Sequence, residues 1–141
     1  AATIEHVFRK YAEDRYAKRL AVKITQDRRT NPVQTVQDFI AHVGTDNPKV
    51  LAPLFQALRI EVNNELQMVE AGLEVAKEAL KVGGRLAVIS FHSLEDRIAK
   101  EFFRSGGFEI VTKKPLTPSE GEIHRNPRSR SAKLRAGIKT E

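Results

Sequence analysis

Apolar residues recur three or four positions apart through the first third of the chain, the spacing that places side chains on one helical face. This spacing predicts helices over residues 3–11 and 15–26. A third helix is predicted between Thr35, a suitable N-cap, and Gly44, a suitable C-terminal stop. The N-terminal part of the chain is therefore predicted to be helical.

The longest periodic segment runs from Leu54 to Leu80, where apolar residues form a continuous seam. A helix of this length is unusual in a small domain, and glycine weakens a helix interior. We therefore predict a bend or break near Gly72 and a helix end at Gly83-Gly84.

The pattern changes to short apolar runs after the glycine pair. Residues 85–91 (RLAVISF) predict a strand buried on both faces, as in a parallel sheet. Ser93 followed by Asp96 resembles a capping box and predicts a helix that ends near Arg104. These residues predict a strand followed directly by a helix.

Two further strands are predicted over residues 108–113 and 132–139, with a short helix from Pro118 to Ile123 between them. The order is typical of the second half of a doubly wound α/β sheet. Three strands leave such a sheet incomplete. We therefore expect the sheet to be completed by residues that precede the chain or by another chain. A homodimer is one such arrangement.

Both ends of the chain are basic. Residues 1–29 carry eight Lys or Arg against four Asp or Glu, and residues 113–141 carry eight against three. The residues between them carry eight against eleven. Basic ends suit a surface that binds a polyanion, although on charge alone solvated ends explain them equally well.

Composition excludes several classes of protein. The chain has no Cys, its four His show no metal-ligand spacing, and no apolar run could span a bilayer. Its first residues are charged and amphipathic, unlike a secretory signal. We expect a cytoplasmic protein with no metal site and no membrane contact.

Three polar clusters are candidate binding surfaces. The first is the turn after Asn126-Pro127, whose guanidinium and hydroxyl groups suit phosphate, the alternative being a basic turn that is only solvated; its residues are Arg128, Arg130 and Ser131. The second is a basic helix face, equally compatible with solvent exposure: Arg15, Lys18, Arg19 and Lys23. The third is a polar stripe on the long helix, expected to meet the missing part of the fold unless it is simply exposed: Gln56, Arg59 and Asn63.

Three segments together carry a family resemblance: FQALRIEVNNEL at 55–66, GGRLAVISFHSLEDR at 83–97, and KKPLTPSEGEI with NPRSRSAKLR within 113–135. In this order they resemble the bacterial ribosomal RNA small subunit methyltransferase H (MraW) family. Residues 6–24 are more weakly similar to that family's inserted helical domain. The resemblance covers nearly the whole chain.

The resemblance implies methylation of the N4 amine of a cytidine in 16S rRNA, with S-adenosylmethionine as methyl donor and the small ribosomal subunit as partner. It implies an inserted helical, RNA-recognising domain at 1–50 and the C-terminal part of a Rossmann-like catalytic domain at 51–141. The family's Gly-rich cofactor loop and its ribose-binding acid would precede residue 1, so the chain alone is expected to be inactive.

The segment after the strand at 85–91 is the candidate active site, because ligands of open α/β sheets bind beyond the carboxyl ends of strands. Ser90, His92 and Ser93 are candidates to orient the target base. As alternatives, Ser93 caps the helix and His92 bonds to a backbone carbonyl. Asp96 is expected in a solvated first turn. An alternative function for the chain is a non-catalytic RNA-binding or ribosome-assembly module.

Overall fold

The computed structural model describes residues 2–12 and 17–141, and the chain divides into two compact units between residues 65 and 66. The sequence places a domain boundary at residue 50. In the structure, residues 51–65 belong to the same compact unit as the N-terminal helices. The assignment of a separate domain at 1–50 stays a prediction.

The first unit contains four helices: α1 (Ala2–Tyr11), α2 (Ala17–Asp27), α3 (Val36–Val43) and α4 (Pro48–Asn63). The first three confirm the predicted helices, except that residues 15 and 16 of the second prediction lie outside the described residues. The buried core of this unit has the spacing that the sequence predicts, and it consists of Val7, Phe8, Ala17, Ile24, Phe39, Leu54 and Ala57.

Helix α3 has the cap that the sequence predicts. The Asp38 amide donates to Thr35 Oγ1 at 3.2 Å, and the Thr35 amide donates to Asp38 Oδ2 at 2.8 Å. Hydrogen bonds from the backbone amides of Gln34 and Thr35 lower the pKa of the Asp38 carboxyl. Gly44 ends the helix in the left-handed conformation, with φ of 83°.

The long helix breaks at Asn64, so the predicted break near Gly72 is wrong. α4 begins at Pro48 after the Asn47 cap, and α5 runs over Glu65–Ala79 with Gly72 inside it. Asn64 has a φ of 52°, a left-handed conformation that Asn tolerates better than most residues. An interior glycine such as Gly72 weakens a helix without ending it, whereas a residue in the left-handed conformation stops the helical hydrogen-bond pattern.

Most of α5 belongs to the second unit with β1 (Arg85–Ser90), α6 (Ser93–Arg104), β2 (Phe108–Ile110), α7 (Glu120–Arg125) and β3 (Lys133–Lys139). Two sequence predictions need correction here. β2 ends at Ile110 instead of residue 113, and α7 begins at Glu120 instead of Pro118. Ser119 caps α7 by accepting the Glu122 amide at 3.2 Å.

The described strands form a mixed α/β unit with an antiparallel sheet in the order β1-β3-β2. β1 and β2 run in the same direction on either side of β3 and do not pair with each other. The doubly wound arrangement that the sequence predicts is not seen among these strands. Among the described residues β1 pairs only with β3, so the parallel, fully buried environment predicted for residues 85–91 is not seen there.

β1 is an edge strand with one covered face. Leu86 and Val88 pack against the apolar cluster of the second unit, whereas Ile89 is 58% exposed. The run of apolar residues looked fully buried because its outward positions are also apolar. Alternation along β1 therefore separates a covered face from an uncovered one.

The covered face packs on α5 and α6 through Leu73, Phe102, Phe103 and Phe108. Gly137 in β3 makes this close packing possible. A Cβ at Gly137 would lie 2.8 Å from Cδ1 of Phe103. Glycine at this position lets the ring of an α6 residue rest directly on the sheet.

Candidate functional site

The junction between β1 and α6 is held by hydrogen bonds around His92. The Glu95 amide donates to His92 Nδ1 at 3.3 Å, so His92 is the N-cap of α6. The Phe91 amide donates to Glu95 Oε2 at 2.9 Å. The predicted Ser93 cap is wrong: Ser93 is the first helical residue and is exposed.

The His92 ring is fixed with one nitrogen unsatisfied. Because Nδ1 accepts a hydrogen bond, the proton of a neutral ring belongs on Nε2. Nε2 is buried and has no hydrogen-bond partner; it approaches Glu95 Oε1 at 3.2 Å without hydrogen-bond direction. The bond to a backbone carbonyl, the alternative role for His92, is absent from this described junction, and the ring keeps an unused donor.

Ser90 is the last residue of β1 and is almost fully buried. Its hydroxyl donates to the carbonyl oxygen of Lys133 at 3.4 Å, which ties the end of β1 to β3. The buried Ser90 hydroxyl thus stabilises the junction through its bond to β3, whereas the Ser93 hydroxyl is exposed to solvent. The structure thus brings the three candidates together at one strand end with different accessibility.

Asp96 forms a buried ion pair that sequence analysis missed. Arg135 Nε donates to Asp96 Oδ1 at 2.7 Å and Arg135 Nη2 donates to Oδ2 at 3.2 Å. Lys133 Nζ lies 3.5 Å from Asp96 Oδ2. The hydrogen bonds from Arg135 are the main cause that lowers the Asp96 pKa, and burial opposes them. The predicted solvated position of Asp96 is wrong.

A sequence signal for this pair existed in the helix spacing. Asp96 precedes Ala99 and Phe103 by three and seven residues, which places it on the buried face of α6. A carboxylate on a buried face requires a partner. The inward position of Arg135 in β3 becomes visible only with the register of the sheet.

Arg128, Arg130 and Ser131 lie in a 3₁₀ helix over Pro127–Ser131, not in an irregular turn as predicted. All three are exposed. The intervening Ser129 is buried, and its hydroxyl donates to the Asn126 carbonyl at 2.8 Å. One residue anchors the turn while its neighbours present two guanidinium groups and a hydroxyl to solvent.

The basic face of α2 is only partly available for binding. Lys18 and Arg19 are exposed, and Arg15 lies outside the described residues. Lys23 donates to the carbonyl of His42 in α3 and lies 3.4 Å from Asp27 Oδ2. Lys23 therefore joins α2 to α3, although its side chain is 48% exposed, and Lys18 and Arg19 are exposed as well.

The polar stripe of α4 is part of the helix break. Arg59 Nε and Nη2 donate to the two carboxylate oxygens of Glu65 at 2.7 and 3.2 Å. Asn63 Nδ2 donates to Glu65 Oε1 at 3.4 Å, and Gln56 is half-buried. These contacts stabilise the junction at Asn64. The proposed contact with a missing part of the fold stays a prediction.

No group of three or more His, Cys, Asp or Glu side chains suited to a metal ion occurs within residues 2–12 and 17–141. In the same ranges, no helix is both long and apolar enough to cross a membrane. The described site is thus built from hydroxyl, imidazole, carboxylate and guanidinium groups.

These features define a mixed α/β protein with a helical unit and exposed cations on both units. The chain belongs to the MraW methylase family, whose family model matches residues 1–140. This confirms the resemblance drawn from the sequence.

Three curated relatives carry the name ribosomal RNA small subunit methyltransferase H. The Leptospira interrogans protein (strain Fiocruz L1-130) is 45% identical over 96% of this chain and 44% of its own length. The Caldicellulosiruptor saccharolyticus protein is 41% identical over 96% and 52%, and the Acidobacterium capsulatum protein is 48% identical over 92% and 46%. The chain spans about half the length of the curated relatives it matches.

Proposed function

We propose that this chain is part of an rRNA methyltransferase that acts on the N4 amine of a cytidine in 16S rRNA. The observation that carries the proposal is the family match along residues 1–140, together with relatives named for small-subunit rRNA methylation. S-adenosylmethionine would supply the activated methyl group. Its site is expected mainly in the part of the fold that precedes these residues, and the protein would act in the cytoplasm.

The residues after β1 would position the target base. The exposed Ser93 hydroxyl can accept a hydrogen bond from an exocyclic amine. The unused Nε2 proton of His92 suits an acceptor on the ring edge of the base, once the Glu95 side chain moves aside. Ser90 would keep the strand end in place. Held in this way, the amine nitrogen would be presented to the methyl carbon.

The exposed cations would bind the RNA backbone. Arg128 and Arg130 present forked donors that match phosphate, with Ser131 beside them. Lys18 and Arg19 offer a second set of charges on the helical unit, and Arg15 precedes them in the sequence. Both sets would hold the small-subunit rRNA while its base is drawn out of the stack.

A chimera tests the activity directly. Residues 1–141 would replace the matching region of the Leptospira interrogans relative, and nucleosides from treated small-subunit rRNA would be analysed by mass spectrometry. We expect N4-methylcytidine to accumulate. If the chimera folds and binds S-adenosylmethionine but forms no N4-methylcytidine, the proposal is wrong. RNA binding without methylation would instead support a ribosome-assembly module.

A matched pair of variants in this chimera tests the role of His92. His92→Asn keeps a side-chain acceptor suited to the N-cap but removes the Nε2 donor. We expect its melting temperature to stay near the parent value while kcat falls by about tenfold or more. Ser119→Asn at the cap of α7 is the control and should leave kcat unchanged. A His92→Asn chimera with parental kcat would limit His92 to capping.

A further inference from the structure

A basic cleft lies between the C-terminal half of α6 and the end of β2, and Arg135, the partner of Asp96, is one of its lining residues. Lys100 and Arg104 lie on the α6 side, and Lys113 lies beyond β2. The cleft has a volume of about 320 Å³, at the small end of the range of about 300–1,000 Å³ that ligand clefts span. No carboxylate is among its described lining residues.

Lys100, Arg104 and Lys113 are exposed and lack an ion-pair partner among the described residues, whereas the fourth cation of the cleft, Arg135, is paired with Asp96. Asp96 is occupied by Arg135, and the other acid placed by a cleft of α6 lies away from the basic one. Glu101 lines a different cleft, together with Glu70 and Glu74. α6 thus separates an acidic cleft from a basic one, and the charges of the basic cleft are available to a ligand.

Further donors and an apolar surface complete the basic cleft. Thr112 Oγ1 accepts the Ala136 amide at 2.9 Å, which leaves its hydroxyl proton free to donate. Arg135 uses Nε and Nη2 on Asp96, so its Nη1 lies outside that pair. Phe103 and Ile110 supply apolar lining. A ligand that fits this cleft would place anionic oxygens against the cations and a less polar group against Phe103 and Ile110.

The backbone around the cleft explains why Thr112 and Lys113 turn toward α6. The amides of Val111 and Thr112 both donate to the Ala136 carbonyl, at 3.0 and 3.3 Å. Two residues opposite one resemble a β-bulge, which bends a strand and redirects its side chains. The bulge ends β2 and brings the basic residue after it to the mouth of the cleft.

We propose that this cleft binds a phosphodiester of the RNA substrate, with Lys100, Arg104 and Lys113 as the charged contacts and Thr112 as a neutral donor. The apolar lining would receive the adjoining ribose. The inference rests on the proposed function for the identity of the polyanion. It adds a phosphate contact on the far half of α6, away from the strand end where the base is positioned.

Fluorescence anisotropy with a labelled small-subunit rRNA fragment tests the cleft in the 141-residue chain. The variant K100A/K113A removes two exposed positive charges. We expect binding to weaken by about tenfold and the slope of log affinity against log salt to fall by about two contacts. R104A alone should reduce the slope by about one contact. Circular dichroism melting should be unchanged, because these side chains are exposed.

The matched control is K81A/R85A, which removes the same charge from exposed positions outside the cleft. Equal losses in both double variants, or parental affinity in K100A/K113A, would overturn the proposal. So would equal competition by polyglutamate of matched charge, since that would indicate a general polyanion surface. The two proposals can fail separately. If the chimera forms no N4-methylcytidine but K100A/K113A loses RNA affinity and K81A/R85A does not, the proposed function is wrong and the phosphate contact in the cleft is still supported.

Discussion

Asp96 shows how one residue can tie a helix to a sheet. Its carboxylate lies on the buried face of α6 and accepts two hydrogen bonds from Arg135 in β3. Lys133 Nζ is also close to this carboxylate. Breaking a buried pair leaves the remaining charge without compensation, which costs far more than breaking an exposed pair. The pair therefore fixes α6 on the sheet and holds the guanidinium beside the basic cleft.

We expect Asp96→Ala to lower the free energy of unfolding by about 3 kcal/mol at neutral pH, because Arg135 stays buried without a counter-ion. Urea unfolding followed by circular dichroism measures this change. Glu5→Ala, which removes the partner of the exposed Arg9 in α1, is the control and should cost less than about 0.5 kcal/mol. Similar losses in the two variants would show that the Asp96 pair adds no special stability.

The same pair predicts a pH dependence. Because Arg135 lowers the Asp96 pKa in the folded state, this carboxylate stabilises the fold above its unfolded pKa of 3.8. The stabilisation is lost as the pH falls below 3.8 through the folded pKa. The difference in unfolding free energy between the parent and Asp96→Asn should therefore shrink between pH 7 and about pH 3. A difference that stays constant over this range would contradict the prediction.

At the scale of elements, the 3₁₀ helix over Pro127–Ser131 presents charge from a rigid turn. Ser129 anchors its backbone, and Arg128 and Arg130 flank this buried residue and face solvent. A turn held in this way loses less conformational entropy when it binds than a free loop would. This geometry favours a specific phosphate contact over a mobile basic tail.

We expect replacement of Arg128 and Arg130 by Ala to weaken binding to a small-subunit rRNA fragment by roughly 1–3 kcal/mol. The log–log salt slope should fall by about two contacts. The control replaces Glu74 and Glu78, exposed acids of α5, with Gln. Should the double Arg variant keep the parental affinity and salt slope, the turn has only a structural role.

At the scale of the whole molecule, the sheet has an uncovered apolar face. Ile89, Leu116 and Leu134 line one shallow cleft there, and Leu116 is 61% exposed. β1 is also an edge whose outer backbone groups pair with no strand among the described residues. Exposed edges and apolar patches promote association between chains.

We expect the 141-residue chain to associate as its concentration rises, which sedimentation equilibrium would detect as a mass above 15.8 kDa. Ile89→Lys should reduce this association, because it places a charge on the uncovered face. Val62→Lys, on an exposed position of α4, is the control and should have little effect. A monomer at all concentrations would contradict the expectation.

We also expect the chain alone to give no saturable micromolar isotherm with S-adenosylmethionine in calorimetry. The pair Gly83-Gly84 follows helix α5 and precedes strand β1, whereas a cofactor loop follows a strand and precedes a helix. The amides of Gly83 and Gly84 already donate to Lys139 and Lys81 at 2.8 Å, so they are not available to a ligand. A saturable isotherm would show that this half of the fold contains a donor site.

The sequence by itself determined the local elements. The 3.6-residue periodicity predicted α1, α2 and α3, and Thr35 and Gly44 predicted the two ends of α3. These features depend on neighbours within a few residues, so they can be read along the chain. The three motif segments also predicted the family, and the Arg-rich turn was predicted as an exposed basic surface.

Only the tertiary structure decided features that depend on distant residues. β1 was predicted to be buried on both faces, but among the described residues it pairs only with β3. Asp96 and Arg135 are 39 residues apart in sequence, and the basic cleft joins α6 to the end of β2. Periodicity assigns a side chain to a face of its own element, whereas register and packing decide what that face meets.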